Sequence, residues 1–163
     1  MATETQYAFF KSVYDEESLR YSELESRAKF YLTIQTFYLG AIAFKFDDIQ
    51  KFSKALSVPP ILFITGGLLV VLGLLLTVLA TRIRAYEAPT DLQELLKSFG
   101  SSPPTDSDFL DDRLADLAVA TDRNSIANDK VANLLTYTGI LLFSAVAVHF
   151  VTFVYAYIYQ LRP

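Results

Sequence analysis

The sequence predicts an all-α integral membrane protein with three transmembrane helices, two of them continuing as long cytoplasmic helices that form a helical bundle. Three apolar runs predict it. The stretch 61–81 has no charged residue in twenty-one positions, and fourteen of them are large aliphatics or Phe. At ~1.5 Å per residue that run reaches ~31 Å, the thickness of a hydrocarbon core, and its fourteen large side chains favour insertion by roughly 4–8 kcal/mol. Leu134 to Ile158 is twenty-five residues in which His149 is the one titratable group besides tyrosines. Phe30 to Phe44 is uncharged but only fifteen residues long. It is short for a bilayer, and Lys29 and Lys45 at its ends extend its reach by snorkelling outward.

Composition bounds the rest. A chain of 163 residues that is 52% hydrophobic fits one membrane module with a wet portion. With no Cys there is no disulfide framework, no thiol chemistry and no soft metal ligand. The net charge of −4 is uneven, since Glu87 to Asp122 holds nine carboxylates against Lys97 and Arg113. That segment repels nucleic acid. The N-terminus lacks a basic start, a long apolar run and a small-residue cleavage site, so no signal peptide is expected.

In order, residues 1–29 read as a cytoplasmic amphipathic helix. Thr3 and Gln6 have capping-box spacing, no Gly or Pro follows as far as Lys29, and Phe10, Val13, Tyr14, Tyr21, Leu24 and Ala28 fall near one face. The helix is expected to run on into a first transmembrane helix, 30–46. Ser22, Ser26, Lys29, Thr33, Thr36, Gly40 and Ala43 recur on it at spacings of three and four. That narrow stripe is read two ways, as a close packing seam or as a polar pore wall in a homo-oligomer, with Thr33, Thr36 and Gly40 as pore-lining candidates. Gln35 lies off the stripe and needs a hydrogen-bonding neighbour.

Residues 47–60 are polar, end in a Pro pair, and read as an external loop. The second transmembrane helix, 61–81, carries Gly66, Gly73 and Ala80 seven apart with Thr77 among them, a small seam on a helix otherwise fit to face lipid. Residues 82–133 read as a cytoplasmic helical insert. It comprises a short helix with Thr90 as N-cap and Gly100 as stop, a linker at 100–107, and a breaker-free helix from Asp108 that enters the membrane. The cytoplasmic parts of the first and last helices are expected to pack through Leu24 and Ala28 against Leu114 and Leu117. In the third transmembrane helix, 134–158, Thr138, Ala145, His149, Thr152 and Ala156 share one stripe. Thr138, His149 and Thr152 are further pore-lining candidates. A lone membrane histidine is either a hydrogen-bonded packing residue or a gate, and in both cases faces inward. Residues 159–163 form an external tail. Ten Lys and Arg on one side of the spans against four on the other place the N-terminus in the cytoplasm.

No catalytic constellation is found. There is one His, no phosphate loop, no nucleophile elbow and no metal-ligand cluster, so neither an enzyme nor a cofactor is expected. What remains is a basic collar at the cytoplasmic membrane face: Arg20, Arg27, Lys29, Arg82, Arg84, Arg123 and Lys130. It suits anionic lipid headgroups or, multiplied by symmetry to ~28 charges in four copies, the phosphates of a nucleotide. Tyr14, Tyr21 and Tyr86 are candidates for stacking on a base.

A charged helix running through ESRAK into a span, a cytoplasmic helical insert, and the approach NDKVANLLTYTG into another span together resemble the small multi-span membrane effectors of bacterial anti-phage systems. These include the Pycsar, CBASS, SLATT and Hailong types. The resemblance implies a homo-oligomer, a tetramer being favoured, in the bacterial inner membrane. It implies an ion channel or pore that permeabilises that membrane when a cyclic nucleotide or short oligonucleotide, made by a partner nucleotidyltransferase or cyclase, changes in level. In the Hailong-like case the bound oligonucleotide holds the channel shut. The alternative is a non-catalytic structural or accessory subunit of a larger membrane complex.

Overall fold

The computed structural model describes residues 3–55, 59–83, 86–100 and 105–160, and every element among them is an α-helix. These are α1 (Glu4–Phe44), α2 (Phe46–Ala55), α3 (Pro60–Arg82), α4 (Leu92–Ser98) and α5 (Asp106–Gln160). Arg84, residues 101–104 of the linker, residues 56–58 of the expected loop and residues 161–163 of the tail lie outside the described residues.

Local chemistry sets the helix starts. At α1 the Gln6 backbone N–H donates to the Thr3 hydroxyl at 3.3 Å, and the Thr3 N–H donates back to the Gln6 side chain at 3.0 Å. This reciprocal capping box satisfies two orphan donors. At α5 the Asp108 N–H donates to the Thr105 hydroxyl, which donates to the Asp108 carboxylate at 2.7 Å. Pro60 takes the first position of α3, where its missing N–H costs nothing. The N-cap of α4 differs from expectation: Asp91 holds it, without a side-chain cap bond, while the Thr90 carbonyl accepts from Arg113 at 2.6 Å. Gly100 does close that turn, with φ at +69°, where L side chains are strained.

Within the expected loop 47–60 the described residues differ from expectation, since Phe46–Ala55 forms a helix. The Pro pair ends the connection but does not prevent a helix before it. The Lys45 amide still donates to the Ala41 carbonyl and the Lys45 carbonyl accepts from Ile49, so the chain turns at Lys45 without losing either bond.

Two helices are long and apolar enough to cross a membrane, Pro60–Arg82 and the Asp106–Ile158 portion of α5. The shorter run in α1 does not reach that measure: its uncharged segment ends at Lys29 and Lys45, and it includes Gln35 with Tyr31, Thr33, Thr36 and Tyr38. The chain divides into two compact units. Met1–Glu25 with Ile83–Val131 forms the first, and Ser26–Arg82 with Ala132–Pro163 the second.

In the first unit, Leu24, Leu95, Leu117, Ala120 and Val131 are buried together with Asn124 and Asn128. Here α1 and α5 run parallel, because Asn128 bonds to Glu17 and Arg20 to Asp129, partners 111 and 109 positions apart. That register places Leu117 level with the first turns of α1, about five turns before Leu24. The expected pairing of Leu24 and Ala28 with Leu114 and Leu117 is therefore not made, although Leu24, Ala28 and Leu117 are each buried. Amphipathic periodicity marks the buried face but leaves the register to the polar partners.

In the second unit the burial pattern is inverted relative to a water-soluble fold. Val70 and Leu135 apart, the buried positions on α3 and α5 are small or polar: Gly66, Gly73, Thr77 and Ala80 on α3, and Thr138, Ala145, His149, Thr152 and Ala156 on α5. Large apolar side chains point outward, with Phe37, Phe44 and Phe143 each more than three-quarters exposed. Small residues at the seam let backbones approach closely, which is how helices associate where lipid removes any hydrophobic drive between them. In water the same exterior would be one large apolar patch. An environment of hydrocarbon is compatible with both halves of this pattern.

Candidate functional site

The polar groups of the second unit form two clusters. Gln35 of α1 is fully buried, and its Oε1 accepts from the Thr77 hydroxyl at 3.0 Å. The single Thr77 hydroxyl hydrogen is shared with the Gly73 carbonyl, also at 3.0 Å, and Thr138 of α5 donates to the same carbonyl at 3.4 Å. Nε2 of Gln35 is buried with no hydrogen-bond partner, so its amide hydrogens carry a desolvation cost of about 1–3 kcal/mol. In the second cluster the Tyr38 hydroxyl lies 2.7 Å from Nδ1 of His149, and Nε2 of His149 lies 3.2 Å from the Phe63 carbonyl. Since a carbonyl only accepts, Nε2 carries the N–H that donates to Phe63, and Nδ1 is the nitrogen that faces the Tyr38 hydroxyl.

Glycines make room for these groups. A Cβ at Gly66 would fall on the His149 ring, one at Gly73 within 2.9 Å of Gln35 Nε2, and one at Gly139 within 2.8 Å of the Tyr31 hydroxyl. Each of the three polar side chains thus sits over a glycine of another helix.

The pore-lining candidates separate. Thr138, His149 and Thr152 are buried inside the protomer. Thr33, Thr36 and Gly40 are exposed, and nothing lies within 4 Å of a Cβ at Gly40. The hydroxyl of Thr33 is satisfied by the Lys29 carbonyl at 3.0 Å, and Thr65 and Thr136 bond back to their own helices in the same way. The Thr36 hydroxyl forms no hydrogen bond among the described residues.

The six collar residues among the described residues are divided between the units. In the first unit Arg20 pairs with Asp129 at 2.5 Å and Glu17 at 3.4 Å, and Arg123 pairs with Glu87 at 2.8 Å. The hydrogen bond to Asp129 raises the Arg20 pKa further above its ordinary value. Lys130 forms no ion pair among the described residues, and it shares a cleft of about 300 Å³ with Arg123 and Glu87. In the second unit Arg27, Lys29 and Arg82 are all exposed. Arg27 and Lys29 each have a partner. Two of the six are therefore neutralised by carboxylates distant in sequence.

The three tyrosines do meet. Tyr14 and Tyr21 both pack on Tyr86, with ring centroids 5.8 and 5.2 Å apart. The Tyr14 hydroxyl also donates to the Glu87 carbonyl at 3.5 Å, and burial pushes its pKa well above the ordinary value.

Sequence reasoning missed the two asparagines that hold the first unit. The Glu87 amide donates to Asn124 Oδ1 at 2.8 Å, and Asn124 Nδ2 donates to the Glu87 carbonyl at 2.9 Å. Asn128 Nδ2 donates to the carbonyl and the carboxylate of Glu17 at 3.0 and 2.7 Å. The signal was present: Asn124 and Asn128 stand on the same helical stripe as Leu117, Ala120, Val131 and Leu135, where an apolar core residue is expected.

Fold and polar clusters together define an all-helical protein with two helices able to cross a membrane. Compared with known protein families, with curated proteins and with solved structures, the chain matches none.

Proposed function

We propose that the chain is a multi-pass membrane protein in which 30–44 joins the two apolar helices as a third span, with the N-terminus cytoplasmic. Copies of it, four in the favoured arrangement, assemble around a pore lined by Thr33, Thr36 and Gly40. The third span is supported by Gln35 and Tyr38, which bond to Thr77 and His149. A segment tied at two levels to the two apolar helices lies at their depth. The pore reading is carried by one observation, the exposed Thr36 hydroxyl without a partner on a segment otherwise flanked by Phe30, Phe37 and Phe44. A lipid-facing helix gains nothing from such a group, and a water-filled lumen satisfies it. The third-span stripe is dropped from the lining because its polar residues are buried within one protomer.

A nucleotide-type anion gates this channel from the cleft that holds Arg123 and Lys130, competing with Glu87 for Arg123. Such a ligand gates only if it binds the open and shut states with different affinity. The setting is the one the resemblance implies, an effector of bacterial anti-phage immunity acting on the inner membrane. The test is conductance of the purified protein in planar bilayers, with cyclic mono- and dinucleotides and short oligonucleotides as probes. Thr36→Leu is expected to reduce conductance, and Arg123→Ala with Lys130→Ala to change the response to nucleotide without changing the oligomer mass. Silence of the wild type under every probe, with a purified mass set by a second chain, would replace the channel by the accessory-subunit reading.

A further inference from the structure

The second unit contains a cleft that neither the pore nor the nucleotide gate uses. It measures about 350 Å³, within the range of small-molecule sites, and lies among α1, α3 and α5 with α2 beside it. Its wall is apolar, with Gly67 on one side, Phe153 on another, and Tyr38 and His149 among the lining residues. Both ring nitrogens of His149 are engaged, one by Tyr38 and one by the Phe63 carbonyl. The cleft therefore offers its occupant no free polar group from that pair, and what enters must be apolar.

Its neighbour differs in chemistry. A second cleft of about 220 Å³ shares Phe46, Ile49, Phe63 and Ile64 with the first, so the two adjoin. Its remaining lining brings in Pro60 and, from the middle and end of α2, Gln50, Ser53 and Lys54. No carboxylate lines either cleft. Lys54 is exposed and forms no ion pair among the described residues, whereas Lys45 is already tied to Asp48 at 3.0 Å. An apolar channel thus ends at an unneutralised ammonium.

The geometry points to a binding site for an anionic glycerophospholipid of the surrounding bilayer, with one acyl chain in the larger cleft and the headgroup phosphate at Lys54 and Gln50. Phe46, Ile64 and Phe153, on the rim, are each more than half exposed, so the cleft opens where the protein faces hydrocarbon. The occupant comes from the bilayer and not from solution. This inference rests on the membrane reading but not on the channel.

Native mass spectrometry of the detergent-purified full chain, titrated with phosphatidylglycerol, phosphatidylcholine of matched chains, and oleate, tests it. Phosphatidylglycerol is expected to bind in preference to phosphatidylcholine. Lys54→Gln is expected to weaken phosphatidylglycerol about fivefold and leave phosphatidylcholine unchanged, the effect of one Lys near an anionic headgroup. Nothing lies within 4 Å of a Cβ at Gly67, so Gly67→Phe fills the cleft without a clash at its Cβ. It is expected to weaken both phospholipids about tenfold, the loss of a few buried methylenes. Ala41→Phe fills the same cleft from α1 and serves if Gly67→Phe does not fold. Wild-type binding by a folded cleft-filling variant overturns the site. Equal binding of the two phospholipids with no effect of Lys54→Gln overturns the headgroup assignment, and binding of oleate alone overturns the bilayer as source. Recovery of the chain from the soluble fraction without detergent overturns the membrane reading and this inference with it.

Discussion

The two units bury polar groups by opposite means. In the first, amides grip the backbone of a distant segment and carboxylates close the rim: Asn124 brackets Glu87 through both of its main-chain groups, and Arg123 holds the Glu87 side chain at 2.8 Å. In the second, the buried polar residues are Gln35, Ser53, Thr77, Thr138, His149 and Thr152, none of them a carboxylate, lysine or arginine. Three polar side chains there sit over Gly66, Gly73 and Gly139. Where water reaches the rim, a charge can remain hydrated on one side and still orient a partner. Where hydrocarbon surrounds the helices, an ion is too costly and contact must come from close backbone approach, which only small residues permit.

The largest effect that separates these modes is expected at Gly66. In Gly66→Leu the new side chain occupies the place of the His149 ring, so the bonds to Tyr38 and the Phe63 carbonyl are both lost. The cost is about 3 kcal/mol or more from overpacking and two lost hydrogen bonds. Thermal unfolding in detergent checks it, and an unchanged midpoint would mean the ring has somewhere else to go. Next comes Asn124→Ala in the first unit, expected to cost about 2–3 kcal/mol because it leaves the Glu87 N–H and carbonyl without the amide. Hydrogen exchange at the Glu87 amide is the specific readout. Exchange no faster than in the wild type would show that the amide was not protected by Asn124.

Much of this contrast was legible in the sequence, but not the part that assigns a stripe its partner. The α3 seam of Gly66, Gly73, Thr77 and Ala80 is buried as its spacing suggested, because a run of large aliphatics leaves no other face for small residues to serve. The stripes on α1 and α5 read alike, yet Thr138 and Thr152 are buried within the protomer while Thr36 and Gly40 face outward. Periodicity says that a face is small or polar and cannot say whether the same chain covers it. The collar shows a related limit of counting charges along the chain. Counting Arg20 and Arg123 as available cations ignored carboxylates 109 and 36 positions away. Helix α2 was missed because Asp47, Asp48, Gln50, Lys51 and Lys54 made the segment look solvated, while Phe46 and Ile49 gain meaning only from the cleft they line.

A smaller effect is expected at Gln35, and its smallness is informative. Gln35→Leu removes one bond to Thr77, which keeps its bond to the Gly73 carbonyl, and it also removes a buried amide that has unpaired hydrogens. The two terms oppose each other, so the net change is expected within about 1 kcal/mol. A loss above about 2 kcal/mol in the same unfolding assay would show that Nε2 has a partner in the assembled protein, from a water or another copy.

The smallest effect is expected at Arg20, on the solvent-exposed rim of the first unit. Its guanidinium meets Asp129 at 2.5 Å and Glu17 at 3.4 Å, but the Arg20 side chain is 39% exposed and that of Asp129 62%. Solvent screens such a pair, so Arg20→Ala is expected to cost under about 1 kcal/mol, and less as salt rises through ~0.5 M. Asn128 keeps its hold on the Glu17 carbonyl and carboxylate in the variant, which is why the register of α1 on α5 should survive. Unfolding at low and high salt measures the difference. A cost of several kcal/mol that salt does not reduce would place Arg20 among the buried contacts of an oligomer and make the first unit, not the second, the one that other copies cover.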